Sequence, residues 1–372
     1  MAKKTSALDK INFNTIIHVL IITLAVLFII NLAFTLVVSS QIKEKIKILK
    51  EDQRPANIEL TILESNCADC FNIDQVVNQI KSLNVKVENE KILNQNEASE
   101  LIKKYNIKKL PTVMVTGEIN KTQMQFMVQK NNILLFDDLK APYYDLNSNK
   151  VVGKVKAQII NIKNCKKCFD VSLLLAQLKE SDVAITETKI YFENEKEANE
   201  LINKFKLDKL PALILSEDLS YYPEIVEIWK QFGKIEQNQY VLTKIIPPYK
   251  NLQNNKIEGL VKATYISDKS CIECFNINNY NLALKNVGII VSEEEKLDIS
   301  SQKGKELIQK YNIKKLPVMI LSNDVKVYSV YSSLLKKLGT ENTDGTYLFT
   351  AVENMGTYKD LSTNQIIKQK AQ

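Results

Sequence analysis

The sequence predicts an α/β protein: three tandem domains, each a mixed central sheet flanked by helices, behind one N-terminal transmembrane helix. Three observations carry this. All six cysteines fall into three Cys-X-X-Cys pairs, Cys67/Cys70, Cys165/Cys168 and Cys271/Cys274. Each pair is followed at nearly constant distance by a Leu-Pro step: Pro111 lies 44 residues after Cys67, Pro211 46 after Cys165 and Pro317 46 after Cys271. Finally, from Ile16 to Val38 only His18, Thr23, Asn31 and Thr35 interrupt an apolar run.

The 372 residues are 45% hydrophobic, enough for several small cores. The net charge of +7 is spread along the chain, with lysines alternating with glutamates on the predicted helices. No basic face with interleaved aromatics stands out, so no nucleic-acid partner is expected. The only histidine, His18, sits inside the apolar stretch. That removes His-dependent catalytic triads and Cys/His zinc sites from the remainder of the chain.

Taken in order, residues 1–15 form a polar tail carrying Lys3, Lys4 and Lys10. Residues 16–38 are long enough to cross a bilayer core as one helix. A signal peptide is the competing reading; the run is longer than the usual hydrophobic region of one, although Ser39-Ser40 stand near its end. Lys43, Lys45, Lys47, Lys50 and Arg54 follow the span. Taken alone they would place the body in the cytosol. The absence of any stray thiol argues the other way, since paired cysteines suit an oxidising compartment. We therefore expect a single-pass membrane protein with an extracytoplasmic body. Residues 39–56 continue the helix as a stalk, with Ile42, Ile46 and Leu49 at helical spacing, and Pro55 ends it.

Three repeats follow, at 57–151, 152–257 and 258–372. The first reads as a strand (58–63), the Cys pair, an amphipathic helix with Ile73, Val76, Val77, Ile80 and Leu83 inward, and a second strand from Val85. A second helix over 97–105 then leads through Pro111 into an apolar strand. The second repeat gives strand 155–162, helix 171–178, strand 183–190 and helix 197–205; the third gives strand 260–266, helix 282–284, strand 287–291 and helix 304–311. A further apolar strand is expected at 133–136, 240–246 and 347–351. The later repeats add a helix ahead of it, over 223–232 and 328–338. A shared ending closes each repeat: Pro142-Tyr143 to Asn149 and Gly153, Pro248-Tyr249 to Asn255 and Gly259, and Tyr358 to Asn364. These endings read as interdomain turns, because each of the first two leads straight into the next repeat. The phenylalanine after each pair reads as a core residue, and the Asn-rich stretch 276–281 as compositional.

On these residues the chain resembles the thioredoxin-like superfamily. The match covers a strand, Cys-X-X-Cys at a helix start, a second helix, and Tyr-X-Ile-X-X-Leu-Pro entering a strand, and it is repeated three times. The resemblance implies three tandem thioredoxin-like domains, an arrangement similar to that of protein disulfide isomerases. It implies that Pro111, Pro211 and Pro317 are cis, lie beside the Cys pairs and leave neighbouring backbone free to pair with a substrate chain. It further implies thiol–disulfide exchange on protein substrates, with Cys67, Cys165 and Cys271 as nucleophiles and Cys70, Cys168 and Cys274 as resolving thiols. No cofactor beyond the redox-active disulfides is implied, and no metal.

The motif chemistry points the same way. A cysteine at a helix N-terminus is stabilised as thiolate by the helix dipole, and a second one turn on can resolve a mixed disulfide. Typical thioredoxins carry Trp before the first Cys, Gly-Pro between the two, and a buried acid six residues upstream. Here those positions hold Asn66, Asn164 or Ser270; Ala-Asp, Lys-Lys or Ile-Glu; and Thr61, Ile159 or Tyr265. Lys166 and Lys167 would lower a neighbouring thiol pKa, whereas Asp69 and Glu273 would raise it, making the middle pair the most reactive. Two other readings of the pairs stay open: structural disulfides in a scaffold that holds partner or unfolded chains, and half-sites for zinc pooled from two repeats.

Overall fold

The computed structural model describes residues 13–368. Residues 1–12 of the expected tail, with Lys3, Lys4 and Lys10, and residues 369–372 of the third repeat lie outside the described residues. The chain divides into two compact units. One runs to Leu139 and includes Tyr144–Asn149; the other comprises Lys140–Tyr143 and the chain from Lys150 onward.

The first unit begins with one continuous helix, Phe13–Gln53. It contains a stretch of mean hydropathy 2.8 with none of it buried, long and apolar enough to cross a membrane; a signal sequence has the same composition. Pro55 follows its end, as expected for a residue that cannot extend a helix. Arg54 then ties helix to domain by donating to the Glu118 carboxylate at 2.6 Å. That contact, with the Asn57 amide, holds Glu118 down to about 2.

The sheet of this unit runs in the order Val85–Leu93, Ala56–Leu63, Thr112–Gly117, Ile133–Leu135, Val128–Lys130. The first two strands are parallel and the next neighbours antiparallel. Parallel pairing needs a crossover, supplied by the helix Asp74–Lys81, which buries Val76, Val77 and Ile80. Ala56, Ile58, Leu60 and Ile62 point inward on the first strand while Asn57 and Glu59 face out. From Thr112 to Val115 every residue is buried, as befits a strand covered on both faces.

The second unit repeats this sheet twice. One copy orders Ile185–Phe192, Val155–Asn161, Ala212–Leu215, Gln239–Leu242, Gly233–Glu236; the other orders Val291–Asp298, Val261–Ser267, Val318–Leu321, Tyr347–Phe349, Gly339–Glu341. Together with the first unit, this makes three units of the same strand order, each a mixed sheet flanked by helices. The cores are apolar throughout, with Ile159, Leu213 and Trp229 in one and Tyr265, Tyr280 and Tyr347 in the other. Full burial of one such side chain contributes about 1.5–3 kcal/mol.

The second helix of every repeat stops by the same device. Asn106, Lys206 and Asn312 adopt φ of 49°, 49° and 51°. The next amide then bonds back to a helix carbonyl: Ile107 to Ile102, Leu207 to Ile202 and Ile313 to Ile308. This left-handed stop turns the chain toward the proline strand. The step is visible in sequence as the polar residue between Tyr105, Phe205 or Tyr311 and the next apolar residue.

Several expectations need correction. The third repeat's second strand begins at Val291, not Val287, because the helix Asn278–Asn286 is longer than its apolar pattern and Gly288 turns out of it at φ +77°. The helix expected over 328–338 is present at 329–338, with a π-helical turn at Tyr331–Leu335 inside it that the apolar pattern does not reveal. The edge strands Val128–Lys130, Gly233–Glu236 and Gly339–Glu341 carry no apolar alternation and were not legible. Asn276 is more than compositional: its Oδ1 accepts the Asn278 amide at 2.9 Å and starts a helix.

Candidate functional site

Each Cys pair sits at the end of its first strand. The expectation of a helix start fails in all three repeats. The helices begin at Asp74, Ser172 and Asn278, four residues after the second cysteine. The cysteines instead close a turn of their own: the Cys70 amide donates to the Cys67 carbonyl at 3.3 Å, Cys168 to Cys165 at 3.4 Å and Cys274 to Cys271 at 3.3 Å. The reason is local. Asn72, Asp170 and Asn276 accept the amides of Asp74, Ser172 and Asn278 at 3.0, 2.9 and 2.9 Å, so the side chain two residues past the second cysteine marks the helix entry. The helix-dipole argument for thiolate therefore does not apply to these cysteines, since the effect falls off within the first turn.

All three pairs are disulfides, with Cα–Cα distances of 5.4 Å. Each pair is closed on itself within its own repeat. Cys67 and Cys165 are part-exposed, whereas Cys271 is only 7% exposed. The residues between the cysteines face solvent, with Ile272 at 95% exposure. The phenylalanines after the pairs are part-buried rather than core residues and stand ahead of the helices; Phe71 stacks on Phe136, and Phe275 meets Tyr280 edge-on.

The Leu110–Pro111, Leu210–Pro211 and Leu316–Pro317 bonds are cis. The backbone beside them, however, is not free. The shared endings are β-hairpins rather than simple turns, and they pair with the residues leading into each proline. Lys109 and Leu110 face Asp145 and Tyr144; Lys209 and Leu210 face Asn251 and Lys250; Lys315 and Leu316 face Asp360 and Lys359. The same hairpins reach the Cys turns. The Phe169 amide donates to the Pro248 carbonyl at 2.9 Å, and that of Phe275 to the Thr357 carbonyl at 2.8 Å. Asn149, Asn255 and Asn364, the asparagines that recur in the three endings, are hairpin-turn residues with φ of 52°, 58° and 58°. Asparagine tolerates that left-handed geometry better than most side chains.

Charges near the pairs are engaged as well. Lys167 reaches away from its own turn and donates to the carbonyls of Val291 and Ser292 at 3.1 and 3.0 Å, on the edge strand of the third sheet. Glu273 pairs with Lys368 at 2.8 Å. Asp268, three residues before Cys271, pairs with Lys359 of the hairpin at 2.6 Å and is 7% exposed. That bond, with those from Ser270, holds its carboxyl below the usual range. Asp298 accepts from Ser300 and from the Lys269 amide, which lowers it to about 2. Sequence reasoning missed Asp268, Asp298 and Lys359; the only available signal was the Asp-Lys-Ser run just before Cys271.

In the third repeat, Tyr265 occupies the position expected of a buried acid. Its hydroxyl bonds to Asn281, and its ring stacks on Tyr280. The Tyr280 hydroxyl donates to the Pro317 carbonyl at 3.0 Å. Burial raises the pKa of both tyrosines, so both act as protonated donors at neutral pH.

No family model and no curated protein matches the chain. Among solved structures it is similar to ERdj5 form II at 11% identity, covering 79% of this chain and 38% of that one, with a TM-score of 0.16. It is similar to human ERp44 at 11% identity, covering 83% and 95%, with a TM-score of 0.15. A protein disulfide oxidoreductase from Aeropyrum pernix K1 matches at 14% identity, covering 46% and 77%, with a TM-score of 0.15. Those superpositions are too loose to bear on function.

Proposed function

We propose that this chain is a membrane-anchored thiol–disulfide oxidoreductase or isomerase. It uses Cys67/Cys70, Cys165/Cys168 and Cys271/Cys274 on exported protein substrates, and domains at 57–151, 152–257 and 258–372 carry one pair each. The observation that carries this is threefold repetition of a self-closed Cys-X-X-Cys turn at the surface end of the first strand. A purely structural disulfide has no need of the same solvent-facing turn in every repeat. In the exchange step a reduced pair attacks with the first thiolate, forming a mixed disulfide and releasing one substrate thiolate. The second thiolate then attacks the first cysteine's sulfur and releases the other. Two electrons pass to the substrate, and the two protons of the pair end on its thiols; the oxidised pair runs the same steps backward with a substrate dithiol.

The roles of Pro111, Pro211 and Pro317 are proposed to be positional, shaping the strand entry next to the Cys turn. The apolar helix would anchor the body, extracytoplasmically on the cysteine argument. The scaffold alternative, in which the proline edge holds client chains, is disfavoured by the hairpins that already pair with that edge. The test is a redox titration of the full chain in detergent micelles, reading each pair by alkylation and mass spectrometry. Potentials between about −120 and −270 mV support exchange, whereas values below about −300 mV in all three pairs mark structural disulfides. After reduction, Cys271 is expected to alkylate more slowly than Cys67 and Cys165, because it is the most buried of the three.

A further inference from the structure

A polypeptide that adds to a protein as an extra strand needs a free sheet edge on which to pair its backbone. Here the edge leading into each cis-proline is filled by the repeat's own hairpin, in the same antiparallel register three times. The hairpin is built in rather than laid on. Tyr249 is 6% exposed and belongs to the second core; Tyr358, at 9%, belongs to the third. Lys209 and Lys315 sit over those two rings at 4.7 and 5.3 Å. Lys250 pairs with Glu193 at 2.7 Å, both largely shielded, and Lys359 pairs with Asp268. Beyond the second hairpin, the Gly259 carbonyl accepts from Tyr328 at 2.7 Å, and Gly259, at φ +90°, packs so closely on Pro247 that a side chain would collide. Lifting the hairpin would expose a core tyrosine and break shielded ion pairs in one step.

We infer that the three Cys pairs accept compact disulfides, recognised at the sulfurs and their immediate neighbours, and do not bind an extended flanking chain as an added strand. This rests on the exchange reading for its chemistry. A small disulfide of the cystine type is a sufficient substrate: the reduced pair is oxidised, the disulfide takes two electrons, and the pair's two protons leave on two thiol products. The exposed turn residues Ala68-Asp69, Lys166 and Ile272-Glu273 then supply the differences among the three sites. A disulfide docking end-on meets these side chains first.

The experiment uses the reduced full chain in detergent micelles. Exchange rates at each pair are measured with cystine and with an extended peptide of about ten residues dimerised through one central cysteine. Hydrogen-exchange mass spectrometry of the oxidised chain is run alongside, with and without excess cysteine-free peptide. The expected result is that the two rates agree within about threefold, and that residues 109–110, 209–210 and 315–316 stay protected whether or not peptide is present. A peptide rate about tenfold higher, or peptide-dependent loss of hairpin protection, overturns the inference. If neither disulfide reacts while protection is as expected, the exchange reading falls, and the substrate assignment with it, leaving only the capped edge. Lys250→Pro, which removes an N–H from the second hairpin, should raise the peptide-to-cystine ratio at Cys165 and leave it unchanged at Cys67. If that variant does not fold, the comparison of the two substrates on the unmodified chain still decides.

Discussion

In the second repeat Cys165 is part-exposed, and the positions of its core equivalent to Tyr265 and Tyr280 hold Ile159 and Leu174. In the third repeat Cys271 is 7% exposed, its loop is clamped by Asp268 and Asp298, and the two tyrosines stack at 6.0 Å. The sheets have the same strand order, the hairpins the same register, and the prolines the same cis bond. What differs is the polar and aromatic surroundings of the Cys turn. The difference teaches that the scaffold is copied while access to each pair is set by a few residues outside the motif.

The largest expected effect tests the aromatic support. Tyr280→Ala should destabilise the third repeat by about 3–5 kcal/mol, as for other buried aromatic truncations, whereas Leu174→Ala should cost the second about 2 kcal/mol. Hydrogen-exchange mass spectrometry reads the repeats separately; equal losses would mean that the aromatic pair adds nothing specific. Next comes the ion pair beside Cys271. Lys359→Ala leaves the shielded Asp268 carboxylate without its cation and should cost about 1–3 kcal/mol. It should also speed alkylation of reduced Cys271, while Lys250→Ala, whose partner Glu193 lies outside the Cys turn, should leave Cys165 alkylation unchanged.

The smallest effect is a pH dependence. Asp298 is lowered to about 2 in the fold, from an ordinary value near 4. A depressed carboxyl stabilises fully above its unfolded value, and the contribution is lost as pH falls through the folded one. The Asp268 carboxyl is shifted in the same direction. The difference in thermal midpoint between the wild type and Asp298→Asn should therefore be constant above about pH 5 and close as the pH is lowered to about 2. A gap that persists at pH 2 would show that the carboxylate's charge is not what holds Lys269.

Much of this was readable residue by residue. The alternation of Ile58, Leu60 and Ile62, the inward set Val76, Val77 and Ile80, and the apolar runs after each proline report local burial periodicity, which a short window of sequence contains. The helix boundaries near the cysteines were misread because Asn72, Asp170 and Asn276 compete for the first helix amides, a side-chain choice that the apolar pattern does not reveal. Its place between the cysteines makes Lys167 a charge expected to act on its own thiols. Its ammonium lies on the carbonyls of Val291 and Ser292, more than a hundred residues away in sequence, where no local pattern could place it.

The sequence by itself determined the threefold repeat, the order of strands and helices, the six cysteines as three pairs, and one apolar helix of bilayer length. All of these follow from composition and short-range periodicity. Only the tertiary structure decided that the Cys turns stand ahead of their helices, that each hairpin fills the edge beside its cis-proline, and that Cys271 is shut in while Cys165 is not. Strand pairing between Leu316 and Lys359, and the ion pair between Asp268 and Lys359 across 91 residues, depend on which distant groups the packed sheet brings within bonding reach. That proximity is a property of the folded chain, set when burial of the cores fixes every element at once.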